Sequence, residues 1–392
     1  MKFIDQVTLS GKKVFLRADL NVPFDKAGNI SDDTRIKATL PTLQYAINQG
    51  AKIILASHLG RPKGKDPKQS LKPVAERLKQ LISTKVLFAN DCIGAEVENL
   101  ASSLNSGEVL LLENLRFYPE EEKNDVGFAE KLSKLAEVYI NDAFATAHRA
   151  HASTEGMVKF FTVAAGGFTL KNEISYFEKA FANPERPLLA IFGGSKVSTK
   201  ITAIKNVAKR ANAIILGGAM ANTFFAAEGL SVGKSLYEPD LLDLANSTKK
   251  ELEQIGCKLI LPSDVVVASE LKSGMPTKVV AINSIEADKM ALDVGPDSIR
   301  QFGQAINSAK TIIWNGPVGA FETPEFSSGT FALVDLLCNC KALTVVGGGD
   351  TDLALHQKHA YEKMSYVSTA GGAFLCLLEG EKLPAVEALE RK

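Results

Sequence analysis

Short runs of apolar and β-branched residues recur along the whole chain, and stretches with helical spacing separate several of them. The runs in the first half are KVFLRAD (13–19), AKIILAS (51–57), KVLFA (85–89), EVLLLE (108–113), EVYIND (137–142) and FTVAAG (161–166). Those in the second half are PLLAIFGG (187–194), NAIILGG (212–218), KLILPSD (258–264), KTIIWNG (310–316), KALTVVGGG (341–349) and MSYVSTA (364–370). Because unbroken apolar strands alternating with helices indicate parallel sheets covered on both faces, the pattern predicts an α/β protein with two doubly wound parallel sheets.

The restart of this rhythm predicts two domains joined by a helix. Residues 170–182 have helical spacing, and Asn183-Pro184 closes them. We expect an N-terminal domain over 1–169, an inter-domain helix over 170–183 that acts as a hinge, and a second domain over 184–378. Residues 379–392 are too few for a domain and are expected to pack back on the first one.

Charge and cysteine content limit the possible partners. The 392 residues include 45 Lys plus Arg and 45 Asp plus Glu, so no global charge favours nucleic acid or an anionic membrane. The 5 cysteines lack metal-ligand spacing and fit buried thiols in a reducing compartment. The N-terminus has no apolar signal-peptide core, and no run reaches membrane-spanning length. We therefore expect a cytoplasmic protein with neither nucleic-acid nor membrane partners.

Glycines follow the strands of the second half, at Gly193-Gly194, Gly217-Gly218, Gly316 and Gly347-Gly348-Gly349. Glycine lets a backbone approach a ligand closely, and a following helix N-terminus favours phosphate. Strand ends also need turns, which is the alternative explanation for any single pair. Four such sites along one predicted sheet favour a phosphate-binding edge.

Two lysines and an acidic residue extend this prediction. Lys196 and Lys200 are four residues apart, which predicts one face of the first helical turns, where two cations near a helix N-terminus favour a bound polyphosphate. A solvated lysine pair is the alternative. Asp350 follows the last glycine run and is a candidate Mg²⁺ ligand, although Asp350 or Thr351 could equally cap a helix.

Two familiar nucleotide signatures are missing. The segment from Gly229 to Ser235 has three residues between its glycines where a Walker A loop has four, so we interpret it as a chance similarity. The first strand leads into DLNVP where a dinucleotide-binding fingerprint would have glycines. This argues against a nicotinamide dehydrogenase.

Polar residues follow the strands of the first half, and they include arginines and histidines. Arginine forks match phosphate and carboxylate, so strand ends meeting at one edge would form a basin for a small, multiply anionic molecule. Each arginine alone could be a surface ion pair, and His58 could be structural. The candidates are Arg17, Asp19, Asn21, Arg35, His58, Arg61, Arg116 and Arg149, with His148 and His151 nearby but lacking a zinc-site pattern.

One helix boundary matters for Arg35. Thr39 is a plausible N-cap, and Pro41 would then occupy the first turn, where its missing N–H is harmless. This predicts a helix from Thr39 to just before Gly50, with Arg35 in the loop that precedes it.

Eight motifs resemble the phosphoglycerate kinase family and occur in that family's order along nearly the whole chain. They are RADLNVP (17–23), SHLGRP (57–62), ENLRF (113–117), NDAFATAHRAHAS (141–153), GGSKVSTK (193–200), AMANTFF (219–225), WNGPVGAFE (314–322) and GGGDT (347–351). The resemblance implies two Rossmann-like domains and reversible, Mg²⁺-dependent transfer of the acyl phosphate of 1,3-bisphosphoglycerate to ADP. The products are 3-phosphoglycerate and ATP, and the family expectation is a monomer.

The resemblance also implies roles for individual residues. Those matching the family's phosphoglycerate site are Asp19, Asn21, Arg35, His58, Arg61, Arg116 and Arg149. Those matching its nucleotide site are Gly193, Gly194, Lys196, Lys200, Gly217, Gly218, Asn315, Pro317, Val318, Glu322, Gly347, Gly348, Gly349, Asp350 and Thr351, with Asp350 on the metal. From the charge that phosphoryl transfer must neutralise, we further expect Arg35 and Lys200 to be catalytic and to meet one phosphoryl group after bending near residues 170–182. Ala219 and Ala370 replace family glycines, which raises the question of whether those turns need a positive φ.

Two other classes of protein share parts of this pattern. A two-domain binding protein for a small anion would also close around its ligand, but such proteins are normally exported. A nicotinamide dehydrogenase would share the sheet class but needs the missing glycine fingerprint.

Overall fold

A computed structural model describes residues 1–392, and the chain forms two compact units. Unit 1 contains residues 1–174 and 382–392, and unit 2 contains residues 175–381. The division falls inside a helix, between Ile174 and Ser175. The functional domain bounds expected from the sequence, 1–169, 170–183 and 184–378, remain predictions. None of the helices is both long and apolar enough to cross a membrane.

Unit 1 is built on a six-stranded, all-parallel sheet. Its strands are β1 (Lys13–Arg17), β2 (Lys52–Ala56), β3 (Val86–Phe88), β4 (Val109–Leu111), β5 (Val138–Asn141) and β6 (Val163–Gly166), in the order β3-β4-β2-β1-β5-β6. The strand β1 pairs with β2 on one side and with β5 on the other, so the strand order reverses between β1 and β5. The carboxyl ends of β1 and β5 therefore flank a topological switch point, where ligands bind in such sheets.

The helices of unit 1 follow the strands. They are α1 (Thr34–Asn48), α2 (Lys72–Leu81), α3 (Ala95–Ser102), α4 (Pro119–Glu122), α5 (Val126–Ser133) and α6 (Phe168–Phe177), which continues as a π-helical turn over Glu178–Ala182. The prediction that Thr39 caps the helix before Gly50 is wrong. The helix α1 begins at Thr34 and carries Pro41 in its interior.

A buried face explains why α1 tolerates Pro41. Proline removes one backbone hydrogen bond and usually kinks a helix, but most helical stability in proteins comes from packing of an apolar face. Ile36, Leu43 and Ala46 of α1 are completely buried. A first-turn position would cost Pro41 least, but packing of this buried face sets the start of α1 at Thr34. Arg35 consequently lies in the first turn of α1 instead of in a loop.

Unit 2 contains a second six-stranded parallel sheet. Its strands are β7 (Leu188–Phe192), β8 (Ala213–Leu216), β9 (Lys258–Ile260), β13 (Thr311–Asn315), β14 (Leu343–Gly347) and β15 (Tyr366–Ser368), in the order β15-β14-β13-β7-β8-β9. Its helices are α7 (Ile201–Ala208), α8 (Ala219–Ala227), α9 (Leu242–Gln254), α10 (Pro296–Ser308), α11 (Ser328–Asn339), α12 (Gly349–Gln357) and α13 (Gly371–Glu379). Alternate residues of β13 face different cores, with Ile313 in one and Ile312 and Trp314 in the other. The predicted class of two parallel α/β sheets is confirmed.

A third, antiparallel sheet in unit 2 was not predicted. It consists of β10 (Asp264–Ala268), β11 (Lys278–Ala281) and β12 (Met290–Val294), in the order β11-β10-β12. Its strands are short, and only a small cluster that includes Val265, Val267, Val280 and Ile285 is buried between them. The Val-rich runs DVVVA and KVVA were the available signal.

The chain returns to unit 1 after it has completed unit 2. The helix α14 (Pro384–Glu390) packs near β6, and the Ala385 N–H donates to the Ala147 carbonyl at 3.2 Å. Leu383, Ala385 and Leu389 are buried there. Residues up to Glu381 belong to unit 2, so the segment that joins unit 1 begins at Lys382.

Candidate active site

The sheet of unit 2 reverses its order between β7 and β13, and the turns after these strands carry the predicted phosphate-binding residues. Renumbered within the unit, its strand order is that of dinucleotide-binding folds, in which ligands bind at this switch point. The Gly193 N–H donates to the Asn315 carbonyl at 3.1 Å, and the Asn315 side chain donates to the Gly347 carbonyl at 2.8 Å. Three successive strand ends are thereby tied together.

The Lys200 ammonium lies at this switch point. Its Nζ donates to the Gly193 carbonyl at 2.7 Å and to the Asn315 carbonyl at 3.0 Å. Burial lowers the pKa of Lys200 to about 8, while the Asp350 carboxylate acts in the opposite direction. A desolvated cation that contacts only neutral carbonyls has no direct ion-pair partner, so an anion bound here would be favoured.

The prediction that Lys196 and Lys200 share the first turns of a helix is wrong. The helix α7 begins at Ile201, and residues 195–200 form a turn anchored by the buried Val197. Glu238 holds the turn from outside by accepting from the Ser198 N–H at 3.0 Å and the Ser198 hydroxyl at 2.5 Å. Lys196 is exposed on this turn, whereas Lys200 reaches inward.

A cavity of about 830 Å³ opens beside the switch point. Six predicted nucleotide residues line it: Gly194, Gly218, Pro317, Val318, Glu322 and Asp350. Apolar side chains, including Phe225, Leu271 and Leu292, line another part of it. A cavity with both an apolar wall and glycine-rich turns suits a nucleotide, which presents a flat base and phosphates.

The glycines of unit 2 fall into two groups. An added Cβ would lie 2.0 Å from the Pro317 carbonyl oxygen at Gly193, 2.4 Å from Val318 at Gly217 and 2.3 Å from Phe374 at Gly347. These positions require glycine because protein atoms approach closely. At Gly349 a Cβ would meet nothing within 4 Å. Close packing in the turns, the alternative to phosphate binding, therefore explains the first group of glycines. The open space beside Gly349 leaves room for a ligand.

Asp350 and Thr351 differ in their surroundings. Asp350 lies in the first turn of α12, is exposed, and makes no hydrogen bond or ion pair through its carboxylate. The Thr351 hydroxyl is buried, accepts from the Gly316 N–H at 2.8 Å and donates to the Gly347 carbonyl at 3.3 Å. Thr351 thus fixes the turns, and Asp350 remains available to a ligand.

The two alanines that replace family glycines cause no strain. Ala219 is the first residue of α8, and Ala370 has φ −118° at the start of α13. The only non-glycine residues with positive φ are Asn124 and His359. In the turn before Ala219, the residue with a positive φ is Gly218, at +68°.

The basin of unit 1 is built around a buried arginine and a buried histidine. Arg17, the last residue of β1, is completely buried and donates from Nη2 to the His58 Nδ1 at 3.3 Å. Burial, followed by the charges of Arg17, Arg116, Arg35 and His151, holds the pKa of His58 well below its ordinary value. His58 is therefore a neutral side chain among cations.

Arg35 and Arg116 are both fixed by partners. Arg35 Nη1 donates to Asp19 Oδ2 at 2.5 Å, which joins the first turn of α1 to the segment after β1. Arg116 Nη1 donates to the Gly60 carbonyl at 2.8 Å, and its Nε lies 3.1 Å from Glu122 Oε1. The Nη2 of Arg116 is buried without a partner. An unpaired guanidinium nitrogen at such a place indicates an anion partner.

The remaining predicted residues are arranged less uniformly. Asn21 accepts the Gly60 N–H at 2.9 Å and so supports the loop that carries Arg61, which itself is exposed with no partner. Arg149 is half-buried, and its Nε donates to the His148 Nε2 at 3.2 Å. Burial, then the charges of Arg116 and Arg17, lowers the pKa of His151 to about 3. The structure thus brings Arg17, Arg35, Arg116, His58 and His151 together, while no contact ties Arg61 to them.

Three residues near the two sites were not predicted from the sequence. Lys234 lies within the segment that we interpreted as a chance similarity, and it lines the cavity of unit 2 as an exposed cation. Glu121 and Ser153 are completely buried behind Arg17. The run PEEE contains three glutamates, and the sequence does not indicate which of their carboxylates is buried.

Fold and site together define a two-unit α/β protein that offers a cationic basin in one unit and a nucleotide-type cavity in the other. A sequence model of the family described as phosphoglycerate kinase matches residues 4–381. Phosphoglycerate kinase from Geobacter metallireducens is 53% identical over 392 residues, covering 100% of this chain and 98% of the relative. The cytosolic phosphoglycerate kinase of Triticum aestivum is 52% identical, covering 99% of this chain and 97% of the relative.

Solved structures agree with the sequence comparisons. Phosphoglycerate kinase from Coxiella burnetii superposes with TM-score 0.91 at 40% identity, covering 99% of this chain and 98% of that one. The enzyme from Pyrococcus horikoshii gives TM-score 0.84 at 31% identity, covering 100% and 98% of the two chains. The chain belongs to the phosphoglycerate kinase family. It is therefore a phosphotransferase of glycolysis that uses ATP and ADP, the resemblance is confirmed, and neither alternative class is supported.

Proposed function

We propose that the basin of unit 1 binds 3-phosphoglycerate or 1,3-bisphosphoglycerate and that the cavity of unit 2 binds ATP or ADP. The observation that carries this assignment is the convergence of three buried or half-buried guanidiniums on His58. Their charge suits a small molecule with a phosphate and a carboxylate. The residues assigned to it are Asp19, Asn21, Arg35, His58, Arg61, Arg116 and Arg149.

The nucleotide assignment rests on the turns of unit 2. Lys200 contacts main-chain carbonyls at the ends of β7 and β13, and Glu322 lines the cavity as a candidate partner for ribose hydroxyls. The residues assigned to nucleotide are Gly193, Gly194, Lys196, Lys200, Gly217, Gly218, Asn315, Pro317, Val318, Glu322, Gly347, Gly348, Gly349, Asp350 and Thr351. Among them, Thr351 acts through the turns that it fixes.

The chemistry needs charge neutralisation more than proton transfer. In the direction that consumes ATP, the nucleophile is a substrate carboxylate that is already ionised at neutral pH, so no general base is required. Lys200 and Arg35 are the catalytic residues that we assign, and each would stabilise charge on the oxygens of the transferred phosphoryl group. The bending near residues 170–182 expected from the sequence remains a prediction.

The residues around Asp350 fit a magnesium ion. Mg²⁺ is usually held by one or two carboxylates together with phosphate oxygens, and the free Asp350 carboxylate on the cavity wall offers one such ligand. When bound with the nucleotide, the ion would neutralise charge on the phosphate oxygens. We further propose a cytoplasmic monomer, consistent with the cytosolic enzyme named among its relatives.

A coupled assay tests the proposed function. Purified protein is mixed with ATP, Mg²⁺ and 3-phosphoglycerate, and formation of the acyl phosphate is followed through its reductive conversion. We expect turnover that requires all three components and is lost when a chelator removes Mg²⁺. Turnover with ATP alone, or none with 3-phosphoglycerate, would contradict the proposal. Size-exclusion chromatography with light scattering tests the monomer.

A further inference from the structure

A chain of buried hydrogen bonds lies behind the basin of unit 1. Arg17 Nε donates to the Ser153 Oγ at 2.8 Å, and the Ser153 hydroxyl donates to Glu121 Oε1 at 2.5 Å. The Ser153 N–H donates to the other carboxylate oxygen, Oε2, at 3.0 Å. Because both oxygens of Glu121 accept hydrogen bonds and a guanidinium is always a donor, the directions of all these bonds are fixed.

Burial makes this chain unusual. Arg17, Glu121 and Ser153 are all 0% exposed. An ionised pair removed from water is costly unless its geometry is well satisfied, and breaking one partner leaves an uncompensated charge. Burial raises the pKa of Glu121, whereas the charges of Arg17 and Arg116 and the bonds from Ser153 lower it. The net effect is a raised pKa, and the charge of Arg17 and the hydrogen bonds from Ser153 limit that rise.

Ser153 is positioned from several sides. Its carbonyl accepts the Tyr139 hydroxyl at 2.7 Å, which links it to strand β5. The neighbouring Ala152 N–H donates to the Glu121 carbonyl at 2.9 Å. The serine hydroxyl therefore has one orientation, with its lone pair toward Arg17 and its proton toward Glu121.

The contact between Arg17 and His58, at the other end of this series of hydrogen bonds, determines the tautomer of His58. Arg17 cannot accept a hydrogen bond, so its Nη2 contact at 3.3 Å requires an unprotonated Nδ1 on His58. A neutral imidazole then carries its proton on Nε2. This nitrogen can donate to an anionic substrate, whereas the opposite tautomer would place a lone pair there.

We propose that Glu121 is a positioning residue that acts through Ser153 and Arg17 to hold His58 as the Nε2–H tautomer, which donates to bound phosphoglycerate. The proposal rests on the assignment of phosphoglycerate to this basin. Glu121 itself touches no substrate. Its carboxylate orients the guanidinium, and the guanidinium selects the tautomer of the histidine that faces the ligand.

Nuclear magnetic resonance of the ligand-free wild-type protein tests the tautomer without any assay of turnover. Two-bond nitrogen–proton correlations of ¹⁵N-histidine-labelled protein distinguish both neutral tautomers and the imidazolium for each of the 5 histidines. The His58 signals are assigned by their loss in His58→Gln. We expect the neutral Nε2–H form at pH 7. A protonated Nδ1, in either the other tautomer or the imidazolium, would overturn the proposal, and this result is independent of the proposed function.

Glu121→Gln then tests the role of the carboxylate, with Glu120→Gln on the same short helix as the matched control. We expect the KM for 3-phosphoglycerate to rise about tenfold, as for loss of one hydrogen bond to a charged group, while the KM for ATP stays within about twofold. The His58 signals should also shift toward a mixture of tautomers. A folded variant with unchanged KM and unchanged His58 signals would overturn the proposal.

Ser153→Ala provides a second route if Glu121→Gln does not fold. It removes the bridging hydroxyl while both charged groups remain, and circular dichroism reports folding. We expect the same change in tautomer and a selective rise in the KM for 3-phosphoglycerate. Equal rises in both KM values with an unaltered His58 spectrum would indicate a purely structural role and overturn the proposal.

Discussion

The two units build their candidate anion sites in different ways. The basin of unit 1 relies on charged side chains that are far apart in sequence, such as Arg17, His58 and Arg116, and on buried partners that hold them. The cavity of unit 2 relies on turns after consecutive strands, with Lys200 as the buried cation. A guanidinium fork recognises a compact ligand with defined geometry. Main-chain N–H groups at helix N-termini instead donate to the oxygens of any phosphate. Ligand binding in unit 1 should therefore depend on side-chain identity, and ligand binding in unit 2 on backbone shape.

Loss of Lys200 should have the largest effect. Lys200→Ala removes the only buried lysine ammonium at the switch point, so we expect kcat to fall by about a hundredfold or more, with KM values within a few fold. Steady-state kinetics with both substrates measures this. Lys209→Ala, at the exposed end of α7, is the control and should retain activity. Unchanged turnover in Lys200→Ala would remove Lys200 from the mechanism.

A change of cation in unit 1 should have a selective effect. Arg116→Lys keeps the charge but cannot reproduce the fork that binds the Gly60 carbonyl and leaves Nη2 free. We expect the KM for 3-phosphoglycerate to rise about tenfold and that for ATP to stay unchanged. Arg391→Lys on the exposed end of the chain serves as the control. A rise confined to ATP would reverse the assignment of the two units.

The backbone dependence of unit 2 can be tested with two glycines. Gly193→Ala would place a Cβ 2.0 Å from the Pro317 carbonyl oxygen, so we expect a loss of about 2 kcal/mol in the free energy of unfolding. At Gly349 the same change meets no atom within 4 Å and should leave stability unchanged. Differential scanning calorimetry measures both. If Gly349→Ala instead raises the KM for ATP at full stability, that glycine serves ligand approach, and equal destabilisation of both variants would contradict the division into two groups.

The pH dependence of the free enzyme should show the smallest effect. Burial lowers the pKa of Lys200 to about 8, so Lys200 loses its cation as the pH rises through that value. We expect kcat/KM for ATP to be about half-maximal near pH 8 and to fall further above it, because this ratio reports the free enzyme. The unit 1 arginines stay charged, so the affinity for 3-phosphoglycerate should not follow this curve. A flat profile for ATP to about pH 9.5 would contradict the expectation, and Lys200→Arg should abolish the decline.

The sequence predicted the strands of both parallel sheets and their helical layers, because apolar runs and their spacing are local signals. It predicted the start of α1 wrongly, because burial of Ile36 and Leu43 outweighs the preference of Pro41 for a first turn. It missed β10 to β12, whose short strands bury only a small cluster.

In the candidate site, too, local signals were visible in sequence, whereas residues determined by packing were not. Glycine turns and lysines are visible in sequence, although the turn at 195–200 separates Lys196 from Lys200 in a way that their spacing did not indicate. The arginines after the predicted strands were also visible in sequence, and the resemblance to the family supplied their individual roles. Glu121 could not be chosen from a run of three glutamates, since only the packing of α4 against Ser153 determines which carboxylate is buried.

The docking of α14 on unit 1 has a consequence for how the protein is made. The Ala385 N–H binds the Ala147 carbonyl, two residues before Arg149, so this helix supports the segment that ends in Ser153. A ribosome must translate all of unit 2 before residue 382 emerges, and domains commonly fold as they are synthesised. Unit 2 can thus fold while unit 1 still lacks α14, which is encoded more than two hundred codons downstream of Ile174.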